Sequence, residues 1–197
     1  MKKTEMIYGE ILFDAIENKR NRFTQLELSK RLNISLSTVN NALRPLDKIG
    51  GISIEKRFFS IRDLEKMLIF WATKRNLNKD IIYKTWVDMP ISDIEKNLPS
   101  RVIYTAYSAY KFKFNDVPAD YSEVIVYADD AEDIQARFPF KKGHPNLVVL
   151  KKDKEMDKLI KNNIAPLAQI YVDLWNLGTW YAKEFLKELE QKILKVK

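Results

Sequence analysis

The spacing of apolar residues predicts three helices in the first third of the chain. The first covers about residues 4–19 and has one apolar face, made of Ile7, Ile11, Leu12, Ala15 and Ile16. Thr24 opens the second helix as its N-cap, and Glu27 completes a capping box three residues later. Because this helix ends near Leu32, the next residue, Asn33, is expected in the left-handed conformation of a tight turn.

Ser35 is the predicted N-cap of the third helix, which runs to about Asp47. Apolar residues occupy the positions expected where two helices cross through a short turn: Leu28, Leu32, Ile34, Val39 and Leu43. The stretch "LSKRLNISLSTVNNAL", residues 28–43, therefore resembles the helix-turn-helix of many repressors, with Asn33 where glycine is usual.

The period of the apolar pattern changes after Gly50 and Gly51. The segments "ISIE" and "FFSI" predict a β-hairpin with Lys56 and Arg57 at its tip. A basic-tipped hairpin directly after a helix-turn-helix is typical of the wing of a winged helix, where the tip lies along the phosphate backbone. Residues 1–62 are therefore predicted to form a winged helix-turn-helix DNA-binding domain.

Short strands and helices alternate through residues 63–197, which predicts a small α/β domain with a regulatory or partner-binding role. The clearest strands are "YSEVIVYAD" and "NLVVLKK", and "RVIYTAYSAYKFKF" predicts a helix. The segment ends in two long helices around Gly178. The predicted fold class is α+β: an N-terminal winged helix-turn-helix, then a small α/β domain ending in two long helices.

The charge of the chain favours an anionic partner for the first third. Of the net +7, residues 1–62 carry 12 Lys/Arg against 7 Asp/Glu, and residues 63–197 carry 22 against 20. The chain has no cysteine, no signal peptide is predicted, and no apolar run approaches the roughly 18 residues that span a bilayer. These features predict a cytoplasmic protein with no membrane partner.

The outward face of the third helix carries short hydrogen-bonding side chains, whereas a merely solvated helix more often carries Glu and Lys pairs. Asn can pair with adenine and Arg with guanine, while Ser and Thr reach phosphates and either base pair. The predicted DNA-binding residues are Ser35, Ser37, Thr38, Asn40, Asn41, Arg44, Lys56 and Arg57. The alternative is a structural three-helix unit whose polar face is incidental.

The residue pattern predicts no catalytic site, no metal site and no cofactor, so the chain is not expected to be an enzyme. His144 is expected in a surface turn beside Gly143 and Pro145. Phosphate-binding loops, dinucleotide fingerprints and nucleophile elbows are absent. One acidic run could chelate a cation, although acids at a helix N-terminus explain it better: Asp129, Asp130, Glu132 and Asp133. A metal-dependent nuclease using Asp129 is the enzyme alternative.

Three tyrosines recur every third residue, at Tyr104, Tyr107 and Tyr110. They could form the floor of a pocket for a small molecule or a nucleotide, which would make the protein a ligand-responsive winged-helix repressor. A helix that packs its tyrosines against the sheet explains the same spacing, and the sequence favours that interpretation.

The stretch "APLAQIYVDLWNLGTWYAKEFLKEL", residues 165–189, carries a further signal. It resembles the C-terminal region of AbiEi-type antitoxins, the regulators of abortive-infection (type IV) toxin–antitoxin systems. The matching positions are Pro166, Leu167, Gln169, Tyr171, Asp173, Leu174 and Gly178, with Ala168 inserted in the Leu-Gln step.

The resemblance implies an autorepressing transcriptional regulator. The winged helix would bind inverted repeats in its own promoter, and the second domain would neutralise a nucleotidyltransferase-type toxin. The Gly-Ser and paired-Asp chemistry of that toxin is absent here, so the resemblance implies the antitoxin and not the enzyme. Both a monomer and a homodimer are compatible with this prediction.

Overall fold

Three helices and a small three-stranded sheet form the N-terminal part of the chain; the helices and the hairpin were predicted, and the third strand was not. The computed structural model describes residues 2–194. The elements of this part are α1 (Lys3–Glu17), β1 (Arg22–Phe23), α2 (Gln25–Leu32), α3 (Leu36–Lys48), β2 (Ile52–Ile54) and β3 (Phe59–Ile61). The three strands pair antiparallel in the order β1-β3-β2, so the hairpin β2–β3 is joined at its side by the segment that precedes α2.

The predicted caps fix the angle between α2 and α3. The backbone N–H of Glu27 donates to Thr24 Oγ1 at 3.1 Å, and Asn33 has the left-handed φ of 51° and ψ of 48°. The turn between α2 and α3 is also stabilised by a side-chain hydrogen bond, because Ser29 Oγ donates to the carbonyl oxygen of Ile34 at 2.6 Å. These contacts confirm the predicted N-cap and turn. The predicted capping box is only half formed within residues 2–194, because the Glu27 carboxylate accepts from Arg20 and Arg31 and not from the Thr24 N–H.

The first helix differs from the prediction of a single apolar face. Its buried residues lie on all sides and include Tyr8, Glu10, Phe13 and Asp14. The reason is that α1 packs against α2 and α3 on one side and against two later helices, α4 (Leu64–Lys74) and α8 (Leu167–Trp175), on another. The sequence pattern did not predict this burial on several sides, because the acids of α1 are buried beside arginines that come from other parts of the chain.

A four-stranded mixed sheet covered by helices forms the rest of the chain. Its strands are β4 (Ile81–Thr85), β5 (Ile103–Tyr104), β6 (Val124–Ala128) and β7 (Leu147–Lys151), in the order β4-β7-β6-β5. The central pair, β6 and β7, is parallel, and both outer pairings are antiparallel. All five residues of β6 are buried, as expected for a central strand covered on both faces.

Six α-helices and two short 3-10 helices accompany this sheet. They are α4 (Leu64–Lys74), α5 (Ile91–Asn97), α6 (Ala106–Phe114), α7 (Glu132–Arg137), α8 (Leu167–Trp175), α9 (Trp180–Leu194) and the 3-10 helices Leu77–Asp80 and Lys154–Lys158. Residues 2–194 thus form an α+β fold with nine α-helices and two small sheets.

One predicted helix is wrong at its start. The segment "RVIYTAYSAYKFKF" begins as a strand, because Ile103 and Tyr104 pair with β6, and the helix begins only at Ala106. Ala106 has a φ of 50°, which turns the chain sharply between the strand and the helix. The apolar residues of this short strand and of the helix follow one another without a break, so their spacing alone did not reveal the boundary.

A single hydrophobic cluster extends across residue 62, the predicted domain boundary. It includes Leu43 of α3, Leu12 of α1, Trp71 of α4, Ile170 of α8 and Phe185 of α9. The helix α1 contacts elements from both sides of that boundary. The N-terminal helices are therefore held by the same apolar packing as the C-terminal ones.

Candidate nucleic-acid interface

The predicted recognition residues of α3 lie on its solvent side. Four buried apolar residues fix the orientation of the helix, which packs on α1, α2 and β2: Val39, Ala42, Leu43 and Leu46. The opposite side carries the exposed residues Ser35, Ser37, Asn41 and Arg44, and the half-buried residues Thr38 and Asn40. Within residues 2–194, the side chains of Ser37, Asn40, Asn41 and Arg44 make no hydrogen bond or ion pair, so their polar groups are available to a partner.

Ser35 and Thr38 are already engaged at the start of the helix. Ser35 Oγ accepts the backbone N–H of Thr38 at 3.1 Å, which makes Ser35 the N-cap, as predicted. The two hydroxyl oxygens also lie 2.8 Å apart and share a hydrogen bond. Ser35 therefore positions the helix in addition to any contact that it makes outside the protein.

Replacing the Ser35 cap is expected to destabilise the protein even without DNA. Ser35→Ala removes the acceptor of the Thr38 N–H, and the loss of an N-cap costs about 1 kcal/mol of unfolding free energy. Urea unfolding followed by circular dichroism measures this loss. Ser37→Ala is the matched control because Ser37 is exposed and caps nothing, and its midpoint should stay close to that of the native protein.

The hairpin tip projects two cations beside α2 and α3. A turn closes between Glu55 and Phe58, where the backbone N–H of Glu55 donates to the carbonyl oxygen of Phe58 at 2.8 Å, and Lys56 and Arg57 occupy its centre. Both cations are exposed, and within residues 2–194 neither side chain makes an ion pair. The Arg22 guanidinium stacks on the Phe58 ring, 4.2 Å from its centroid. The sequence pattern did not predict this contact. This contact places a third cation near the tip.

Internal ion pairs neutralise two arginines of the N-terminal third. Arg31 donates to Glu10 at 2.7 Å, to Asp14 at 2.8 Å and to Glu27 at 2.5 Å, and Arg20 Nη2 donates to Glu27 at 2.6 Å. The hydrogen bond from Arg20 lowers the pKa of Glu27 below its usual value. Partial burial acts to lower the pKa of Arg31, but its bonds to Glu10 and Asp14 outweigh that effect and raise it. The network joins α1 to α2.

Three acids of α1 therefore do not lie on the outer surface of the protein. Glu5, Glu10 and Asp14 are buried and paired with arginines inside the protein. Several exposed cations of the N-terminal part have no carboxylate partner within residues 2–194: Lys30, Arg44, Lys48, Lys56, Arg57 and Arg62. The surface around α3 is therefore more basic than the net charge of residues 1–62 indicates.

The acidic run that follows β6 forms ion pairs with nearby cations. Asp129 lies 2.9 Å from Lys152 Nζ, and Asp133 lies 2.9 Å from Arg101 Nη2. Among residues 2–194, no group of three or more His, Asp or Glu side chains is arranged to hold a metal ion. His144 is exposed at a bend. The geometry therefore gives no support for a nuclease at Asp129.

The tyrosines that could have formed a ligand pocket are occupied by protein contacts. Tyr107 and Tyr110 are buried, and both rings lie edge-on to Phe185 of α9. The Tyr107 hydroxyl lies 2.7 Å from Thr179 Oγ1, and the Tyr104 hydroxyl donates to the Glu95 carbonyl oxygen at 2.7 Å. Burial raises the pKa of Tyr104 to about 12. These contacts favour the packing interpretation, with α9 as an aromatic partner of α6.

A buried polar network around Asp173 was not predicted. Its carboxylate accepts hydrogen bonds from Tyr127 (2.6 Å), Thr105 (2.7 Å) and Gln169 (2.9 Å), and it lies 3.4 Å from Arg75 Nε. Side-chain exposure is 2% for Arg75 and 0% for Asp173. Burial first, and then the charge of Asp173, raise the pKa of Tyr127 well above its usual value, so its hydroxyl remains a donor.

The same network reaches the N-terminal helix through Arg75. Burial acts to lower the pKa of Arg75, but the negative charges around it, including those of Asp173 and Asp80, outweigh that effect and raise it. Glu5 of α1 lies 3.6 Å from Arg75 Nη1, and Asp80 forms an ion pair with the same nitrogen. A lone Arg at the end of an apolar helix was the only sequence signal for this arrangement.

Comparisons with known proteins identify no relative for this fold or site. No family model matches the sequence, and neither the curated proteins nor the solved structures give a significant match. Within residues 2–194, no helix combines the length and the apolar character needed to cross a membrane.

Proposed function

We propose that the protein is a sequence-specific double-stranded DNA-binding transcriptional regulator that acts in the cytoplasm, with residues 1–62 as its winged helix-turn-helix. One observation supports this proposal above all: α3 presents unpaired Ser, Asn and Arg side chains to solvent directly beside the basic hairpin tip. Among residues 2–194, no element covers the exposed side chains of Ser37, Asn41 and Arg44 on the polar side of α3. In the proposal α3 enters the major groove and the tip lies on the adjacent backbone.

The side chains divide into two kinds of contact. Asn40, Asn41 and Arg44 would read base edges, because amide and guanidinium groups form paired hydrogen bonds with adenine and guanine. Lys56 and Arg57 would contact phosphates, which fixes the register of the protein on the duplex but carries no sequence information. Phosphate contacts release counterions, so this second set gives the binding its dependence on salt.

The salt dependence of binding tests the proposal. If five or so phosphates are neutralised, the logarithm of affinity should fall against the logarithm of salt concentration with a slope of about −4 to −5. Fluorescence anisotropy with labelled duplex from the region upstream of the protein's own reading frame, repeated across a series of KCl concentrations, measures this slope. A flat slope, or an absence of binding at low salt, would contradict the proposal.

The residues shared with AbiEi-type antitoxins support a narrower version. In it the protein represses its own promoter by binding inverted repeats, alone or as a homodimer, and residues 63–197 bind a nucleotidyltransferase-type toxin. Five of the residues that carry the resemblance are buried: Pro166, Gln169, Tyr171, Asp173 and Leu174. They support the internal packing of α8, so a toxin would contact other residues. A nucleotidyltransferase encoded by the neighbouring reading frame would favour this version.

A further inference from the structure

An apolar side chain interrupts the polar surface of α3 at its first turn. Leu36, the first residue of the helix, is 49% exposed, and the next residue, Ser37, is exposed as well. Leu26 of α2 is 55% exposed and lines the same groove of about 320 Å³. The other walls of this groove are Thr24, Gln25 and residues 55–58 of the hairpin. Leu26 and Leu36 thus expose apolar surface beside the hairpin tip that carries Lys56 and Arg57.

The position of Leu36 restricts what it could contact. The N-terminal residues of a recognition helix are the ones that reach base edges. Leu36 lies one turn before Asn40, on the same side of α3, so both would face neighbouring base pairs. Among the four bases, only thymine presents a methyl group in the major groove, on its C5 atom, and this group is the partner that apolar side chains contact there.

We propose that Leu36 contacts the 5-methyl group of a thymine and determines the sequence specificity of the DNA site at that base pair. The inference rests on the proposed function, because it requires α3 to lie in the major groove. It adds an apolar contact to the polar set of Asn40, Asn41 and Arg44. The operator would then contain a thymine next to the base pairs that this polar set contacts.

The test replaces single thymines by deoxyuridine, which lacks only the methyl group. The full-length protein first selects its preferred duplex from a random-sequence pool, and each thymine in that duplex is then replaced in turn. At one position the native protein should lose roughly fourfold in affinity, the effect of one buried methyl-sized group. Leu36→Ala should bind the two duplexes equally at that position.

The matched control is Ile69→Ala, which removes an apolar side chain of similar exposure (38%) from α4 and should keep the native response to deoxyuridine. Equal losses for the native protein and Leu36→Ala at every thymine, or no loss at any position, would overturn the contact and leave DNA binding intact. If no duplex is enriched by the selection, the proposed function itself fails. Unfolding curves verify that Leu36→Ala remains folded.

Discussion

Replacing Arg44, Lys56 and Arg57 together by alanine is expected to lower the affinity for the operator duplex by at least about a hundredfold at 0.1 M salt. The three side chains are exposed, and within residues 2–194 none forms an ion pair. Each contact with a phosphate contributes about 0.9 to the salt slope, so the loss of the two proposed phosphate contacts, Lys56 and Arg57, should make the slope shallower by about 2. Fluorescence anisotropy across a salt series measures both quantities.

The control for this variant must change the net charge equally. Lys142, Lys183 and Lys187 are exposed, and within residues 2–194 none forms an ion pair. Replacing these three by alanine also removes three positive charges from the net +7. This second triple variant should keep most of the affinity, since its charges lie outside the N-terminal part. Equal losses in the two variants would indicate a general electrostatic attraction and would contradict a DNA site on α3 and the hairpin.

Removing the Asp173 carboxylate is expected to cause the largest loss of stability. Asp173→Ala leaves the Arg75 guanidinium without one of its counter-charges, leaves the hydroxyls of Thr105 and Tyr127 without this acceptor, and leaves Gln169 with the Tyr127 hydroxyl oxygen as its remaining acceptor. Breaking a buried ion pair by removing one partner costs about 3–5 kcal/mol of unfolding free energy. Chemical denaturation with urea measures this loss. Asp173→Asn keeps the shape of the side chain and should lose less.

An exposed pair of the same residue types provides the control. Arg101 and Asp133 lie 2.9 Å apart, with side-chain exposures of 86% and 63%. Asp133→Ala should therefore unfold at nearly the same urea concentration as the native protein, because solvent screens exposed pairs. If Asp173→Ala were as stable as Asp133→Ala, the network around Asp173 would not hold the fold together.

The N-terminal elements could be predicted because local signals specify them. The caps at Thr24 and Ser35, the left-handed Asn33 and the change of period after Gly51 each depend on a few neighbouring residues. The polar side of α3 could be predicted for the same reason. Once the buried residues of this helix are known, its opposite side must face solvent. The burial of Val39 and the exposure of Arg44 follow from the same spacing.

The sequence pattern could not reveal contacts between distant segments. The ion pairs of Arg31 join residues 17 and 21 positions apart, and Arg75 and Asp173 are separated by 98. Such pairs depend on how the elements pack, and charged residues in an amphipathic pattern are normally expected at the surface. The same limitation explains why α1 was expected to have one apolar face.

The central position of α1 has a consequence for how the chain could be divided. A fragment ending at Arg62 would leave bare the side of α1 that now lies against α4 and α8, and Glu5 would lose Arg75. Such a fragment would expose this apolar side of α1 to water and would therefore self-associate. The exposed side of α1 would have to be made polar before residues 1–62 could be moved onto another protein.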